Sequence, residues 1–128
     1  MLVKYKQDYQ KIALGLLSYT PDLKDFDRLS AELQSYNSED NLQLYLWKNH
    51  QGDFVGICGV ELDDNFILLR HLAFTPDYRH QDSQFAVLDA LHNVYADKRI
   101  MAPMSMSNLL TAWEQHQSQS VDPTDTED

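Results

Sequence analysis

One cysteine, Cys58, stands in a chain of 128 residues, so no intramolecular disulfide forms and no cysteine-rich zinc site is available. That usage fits a reducing compartment. Glycine and proline number four each, which excludes collagen-like and low-complexity chains. Apolar runs are only a few residues long, against the roughly 20 that a membrane-spanning helix needs. Met1 to Gln10 carries two lysines and no apolar stretch of the secretory kind, so the expected location is the cytoplasm. Bases are scarce: 10 of them against 20 acids give a net charge of −10. Four of the acids, Asp122, Asp125, Glu127 and Asp128, fall in the last seven residues, leaving 16 acids against 10 bases in the body. That balance argues against a partner bound through its nucleic-acid backbone. His50, His71, His80, His92 and His116 lack the i, i+3 or i, i+4 spacing of a helical ligand pair, so no structural metal is expected.

What remains is 43% apolar and 23% charged, the composition of one ordinary globular domain that buries roughly two-thirds of its extended surface. Leu2 to Lys6 alternates as a short edge strand. Asp8 is placed to cap a helix carrying Tyr9, Ile12, Ala13, Leu16 and Leu17 at helical spacing. Thr20-Pro21-Asp22 reads as a second helix start, followed by the stripe Leu23, Phe26, Leu29, Leu33 and Tyr36. Leu42 to Trp47 alternates Leu42, Leu44 and Leu46 with Gln43, Tyr45 and Trp47. Phe54 to Leu62 is apolar on both faces, with Gly56 and Gly59 marking a bulge or a close approach. Asp63-Asp64-Asn65 turns into a third long strand, Phe66 to Thr75, interrupted only by Arg70 and His71. A helix over Ser83 to Asp97, a brief strand Ile100 to Pro103 and a helix from Ser107 or Asn108 follow. Tight turns imply antiparallel pairing, and the strand-helix-strand at Phe66 to Pro103 implies a parallel crossover. The fold class is α+β, a mixed and mostly antiparallel sheet flanked by helices.

This element order, with Leu69-Arg70-His71-Leu72-Ala73-Phe74-Thr75-Pro76-Asp77-Tyr78-Arg79-His80-Gln81 between a long strand and a helix, resembles the GNAT family of acetyl-coenzyme A dependent N-acetyltransferases. Within it, Lys11 to Ser18, Gln43 to Lys48 and Gly56 to Glu61 are similar to the RibT-like proteins of bacterial riboflavin-synthesis operons, which implies a link to flavin metabolism. The resemblance covers residues 1–117, an acetyltransferase domain, and leaves 118–128 as an acidic polar tail expected to be disordered. Family members continue with two further strands where this chain becomes polar, so the expected sheet is truncated. A homodimer covering the strand Ile100 to Pro103 follows as an expectation.

The resemblance implies acetyl-CoA as cosubstrate and an amine acceptor. Arg79, His80, Gln81, Asp82, Ser83 and Gln84 would form the pyrophosphate loop, with main-chain groups of Leu72, Ala73 and Phe74 holding the thioester arm. Asp82 and Gln84 replace the family's glycines. Either Asp82 caps the helix and repels phosphate, or it turns outward and leaves the main chain to bind. Glu61 is the candidate base, or else a water-facing strand end. His71 is a candidate acid or base, or else a satisfied sheet histidine. Arg70 either orients an acidic substrate or pairs with Glu61. Trp113 occupies the place of the family's thiolate-protonating tyrosine, and its indole cannot serve as the acid. Cys58 reads as core rather than nucleophile. Tyr45, Trp47 and Trp113 read as core, with flavin stacking the sharper option. Two functions stand: direct acetyl transfer to an amine, or a non-catalytic GNAT-fold binding or regulatory module with a degenerate loop.

Overall fold

Leucines at every second position decide the layering. In β2 (Leu42–Lys48), Leu42, Leu44 and Leu46 point into one buried cluster, while Tyr45 points into the other. The first cluster is closed by Ala13, Leu16 and Leu17 of α1 (Gln10–Leu17) and by Leu29, Leu33 and Tyr36 of α2 (Phe26–Ser38). The second is closed by Phe85, Leu88 and Leu91 of α3 (Gln81–Val94) and by Trp113 of α4 (Ser107–Thr126). A sheet therefore lies between two helical layers. The computed structural model describes residues 1–23 and 25–126.

The described residues form five strands in the order β1-β2-β3-β4-β5, completed by β1 (Leu2–Lys4), β3 (Phe54–Leu62), β4 (Phe66–Phe74) and β5 (Arg99–Met101). Pairing is antiparallel from β1 to β4, and β5 lies parallel to β4, as the turn and crossover lengths predict. Both strand glycines are close approaches. A Cβ on Gly56 would stand 2.7 Å from the Phe74 ring, and one on Gly59 would stand 1.9 Å from the Tyr36 hydroxyl. A bulge does interrupt the β3–β4 pairing, but its extra residue lies on β4 and not on the glycine-bearing strand: Gly59 pairs with His71 and Val60 with Leu69, leaving Arg70 unpaired between them.

Two local readings need correction. Asp8 caps no helix; Gln7–Tyr9 is a single 3-10 turn, and Tyr9 packs its ring 5.0 Å from Phe54 where α1 begins. Thr20-Pro21-Asp22 also opens only a 3-10 turn, Pro21–Leu23, closed by Leu23 N–H donating to Thr20 O at 3.0 Å. The helix starts afresh at Phe26, where the Asp25 side chain accepts from Asp27 N–H at 3.4 Å. The new start rotates Phe26 off the apolar stripe, and it is 66% exposed. At the C-terminal end, the backbone over 118–126 continues α4 to Thr126. Adding turns to a helix already docked through Trp113 avoids a new nucleation step. Residues 127 and 128 of the acidic tail lie outside the described residues. Among the described residues, no helix is long and apolar enough to cross a membrane.

Candidate active site

Adjacent residues on a regular strand face opposite sides of the sheet, and the bulge at Arg70 removes that restriction. Arg70 and His71 both reach α2. Arg70 Nη2 donates to Glu32 Oε2 at 2.6 Å, and His71 Nε2 lies 2.7 Å from the same oxygen. Across the hairpin, Arg70 Nη1 donates to Glu61 Oε1 at 3.5 Å. Tyr36 completes the group, its ring centre 5.8 Å from Arg70 Cζ and 6.0 Å from the His71 ring. The Gly59 close approach is what admits the Tyr36 hydroxyl.

Electrostatics keep Glu32 and Arg70 charged. Burial by itself raises the Glu32 pKa, but the hydrogen bonds from Arg70 and His71 outweigh it and leave the carboxyl below its ordinary value. Burial pulls the Arg70 guanidinium down, and Glu32 and Tyr36 more than reverse that, so it stays charged. Burial pushes the Tyr36 hydroxyl well up. The tautomer with hydrogen on Nε2 lets His71 donate to Glu32. Its Nδ1 is buried and without a hydrogen-bond partner among the described residues. Glu32, Arg70 and His71 border a cavity of about 720 Å³, together with Arg28 and Ser35 of α2, Leu68 and Leu69 of β4, and Pro103 beyond β5.

A second pocket, of about 270 Å³, borders the next stretch of the same strand, Leu72 to Phe74, under Tyr19, Thr20 and Pro21. β5 pairs only with Phe66 to Leu68, so the β4–β5 ladder ends before either Arg70 or this stretch. Arg79 and Gln84 line this pocket too. Arg79 Nε donates to Phe74 O at 3.0 Å, and its guanidinium lies 4.8 Å over the Tyr19 ring. This bond pins the loop after β4 to the strand end.

Two pockets divide five of the six loop residues, and Gln81, the first residue of α3, borders neither. Arg79 and Gln84 face the pocket beside Leu72 to Phe74, whereas His80, Asp82 and Ser83 border another, of about 440 Å³, with Trp47, Lys48 and Asn49. Asp82 is not the helix cap. His80 holds that position without a side-chain bond to the helix, and Asp82 lies inside the first turn. N–H groups at this end have no intrahelical acceptor by position, apart from those of Ser83 and Gln84, which donate to His80 O at 3.2 and 3.3 Å. Because exposed Asp82 borders the pocket at Trp47 and not the one that Arg79 lines, Asp82→Asn is expected to change coenzyme affinity by less than about threefold, the scale of a screened surface charge. A calorimetric titration checks this, and a tenfold gain would put the carboxylate back against the phosphates.

Other candidates have structural partners. Cys58 is fully buried, which pushes its thiol up to about 12 and removes it as a nucleophile at neutral pH. Trp113 donates from Nε1 to Asp89 Oδ1 at 2.9 Å, tying α4 to α3. Tyr45 is buried, with its hydroxyl 2.6 Å from that of Tyr95. Glu61 and His71 come together through Arg70 and Glu32. Glu32 was the residue sequence reasoning missed. Its signal was an acid seated between Leu29 and Leu33 on the apolar stripe of α2.

No family model matches the sequence. The chain is 35% identical over 102 residues to an uncharacterized N-acetyltransferase in the lysA 3′ region of Bacillus methanolicus, a match spanning 79% of this chain and 84% of that relative. Among solved structures, a probable acetyltransferase superposes with a TM-score of 0.70 at 14% identity, over 95% of this chain and 88% of that one. The aminoglycoside N-acetyltransferase AAC(6′)-Iy in complex with CoA gives a TM-score of 0.65 at 12% identity, over 92% and 84% of the two chains. An acetyltransferase from Trypanosoma brucei gives 0.63 at 15% identity, over 90% and 89%. The structural likenesses establish the fold and the sequence match establishes kinship, so the chain belongs to the GNAT-type N-acetyltransferases.

Proposed function

We propose that the protein is an acetyl-coenzyme A dependent N-acetyltransferase that transfers the acetyl group by direct attack. The observation that carries this reading is the run of pockets along β4, past the end of its pairing with β5. Leu72 to Phe74 and Arg79 mark a donor end, and Glu32, Arg70 and His71 mark an acceptor end. Acetyl-CoA would lie with its thioester against the main chain of Leu72 to Phe74. The phosphates would meet the first-turn N–H groups of α3 and the Arg79 guanidinium. The acceptor nitrogen, as free amine, forms a bond to the carbonyl carbon. Main-chain N–H groups of β4 outside the β5 ladder hold the developing oxyanion, and the carbon–sulfur bond then breaks. A thiol of ordinary pKa near 8.5 leaves readily as the thiolate, so the reaction needs no acid in the place of Trp113. The amine's proton passes to water, and the products are an amide and free coenzyme A.

Glu61 and His71 take supporting parts in this reading. Glu61 balances Arg70, and His71 orients Glu32 through Nε2. A role in flavin metabolism rests on the sequence resemblance, a cytoplasmic location on the composition of Met1 to Gln10, and a homodimer on the sheet edge at β5, where Met101 and Met104 are exposed. A second reading, a GNAT-fold binding or regulatory module without turnover, is favoured by one observation. The Gln84 side chain borders the donor pocket where the family carries glycine or alanine.

Incubation with acetyl-CoA and a mixture of primary amines separates the two readings. Transfer predicts free thiol in step with an acetylated amine detected by mass spectrometry, and a module predicts neither. Arg79→Ala should weaken acetyl-CoA binding at least tenfold, because it removes a phosphate-facing cation and frees the loop from Phe74.

A further inference from the structure

The backbone of α1 keeps turning past Leu17. Tyr19 N–H donates to Leu16 O at 3.2 Å, and Thr20 N–H donates to Leu17 O at 2.9 Å. Leu16 and Leu17 are buried in the core, so the Tyr19 main chain is tied to a fixed support. The Tyr19 side chain stays 42% exposed, so burial does not account for its place. Its ring instead lies under the Arg79 guanidinium, with Cζ 4.8 Å from the ring centre. The contact joins two segments that border the 270 Å³ pocket, the end of α1 and the turn between β4 and α3.

Arg79 is thereby held at two points. Nε donates to Phe74 O at 3.0 Å, and the π-face of Tyr19 attracts the cation as a whole. Nη1 and Nη2 have no hydrogen-bond or ion-pair partner among the described residues. These nitrogens carry the remaining N–H donors of the guanidinium in one plane, the arrangement that grips two phosphate oxygens by parallel bonds. An arginine that samples many rotamers gives up that freedom when an anion binds, whereas Arg79 has given it up on folding. The guanidinium is set in advance for an anion beside the donor pocket.

Resting on the donor placement proposed above, we infer that Tyr19 is a positioning residue for acetyl-CoA, whose ring holds the Arg79 guanidinium where Nη1 and Nη2 meet the phosphates. The support runs from buried Leu16 and Leu17 to the Tyr19 main chain, through the ring to the guanidinium. Without the ring, Arg79 keeps only its Nε bond to Phe74 O, and part of the binding free energy goes into fixing the cation. The aromatic ring carries this role and the hydroxyl has no share in it.

Calorimetric titration with acetyl-CoA tests this on the parent, on Tyr19→Leu and Tyr19→Phe, and on Tyr19→Leu combined with Arg79→Ala. Tyr19 lies at the surface, so the leucine leaves the core intact. Tyr19→Leu should weaken binding about fivefold, the scale of one cation–π contact at a partly exposed site. Tyr19→Phe should stay within about twofold of the parent, because it keeps the ring. In the Arg79→Ala background, Tyr19→Leu should change nothing further, because the group that the ring positions is gone. A ring that only packs the loop, or that touches the donor itself, would weaken binding by the same factor with or without Arg79. That result, or a Tyr19→Leu protein with the parental affinity, overturns the inference and leaves the donor site standing. A parent protein that binds no acetyl-CoA overturns the underlying reading instead, and the inference falls with it.

Discussion

Gly59→Ala is expected to lower stability by about 3 kcal/mol, the upper range for forcing atoms into a packed core. The added methyl would stand 1.9 Å from the Tyr36 hydroxyl oxygen and 2.5 Å from the ring carbon that bears it. Tyr36 must then leave its place, which exposes part of the core and withdraws the ring from Arg70 and His71. In a domain of this size the melting temperature should fall by roughly 10 °C. Adding Tyr36→Phe should restore only part of the loss, because the ring carbon still clashes when the hydroxyl is gone. Thermal melts of the parent and the two variants check this ordering. A Gly59→Ala protein as stable as the parent would show that α2 can shift away from the sheet without penalty.

Glu32→Ala should cost about 2 kcal/mol at neutral pH, since it removes the acceptor of two charge-assisted hydrogen bonds beneath a partly buried cation. The figure sits low in the range because Arg70 keeps 30% of its side chain exposed and retains Glu61. The pH dependence has a definite sign. Glu32 has a lower pKa folded than unfolded, so its contribution is fully present above the unfolded value of about 4.3 and fades as the pH falls through the folded value. Urea denaturation of parent and variant should therefore show a constant gap from pH 8 to 5 that narrows below pH 4. A gap that stays constant into acid would mean that the carboxylate's charge has no part in it.

Period-2 alternation made the sheet legible in the sequence. Leu42, Leu44 and Leu46 have one covered face whatever the tertiary partner, and the antiparallel hairpins follow from turns too short to cross over. The helix starts were harder to read. Thr20-Pro21-Asp22 satisfies the signals of a helix start, yet those signals also describe a 3-10 turn, and only the packing of Leu23 and Leu29 settles where α2 begins. The glycines of β3 mark close approaches, and the bulge beside them falls on β4. Its assignment to Arg70 depends on cross-strand register, which no local window contains. Glu32 shows the same limit. Its neighbours on α2 mark it as an oddly placed acid, but Arg70 and His71 lie 38 and 39 residues away, and only the folded sheet brings them to it. The division of the loop residues 79–84 between two pockets depends on the helical phase of α3. A start at Gln81 instead of Ser83 turns Asp82 away from the face that carries Gln84.

The cleft along β4 and its acetyl donor carry the functional account, and calorimetric titration of the purified protein with acetyl-CoA, run beside the Arg79→Ala variant, tests both most directly. Binding at micromolar ligand with one site per chain, weakened at least tenfold in the variant, is the predicted result. No heat of binding at millimolar acetyl-CoA would contradict it, and would leave the fold as a module that has kept the architecture of an acetyltransferase without its donor.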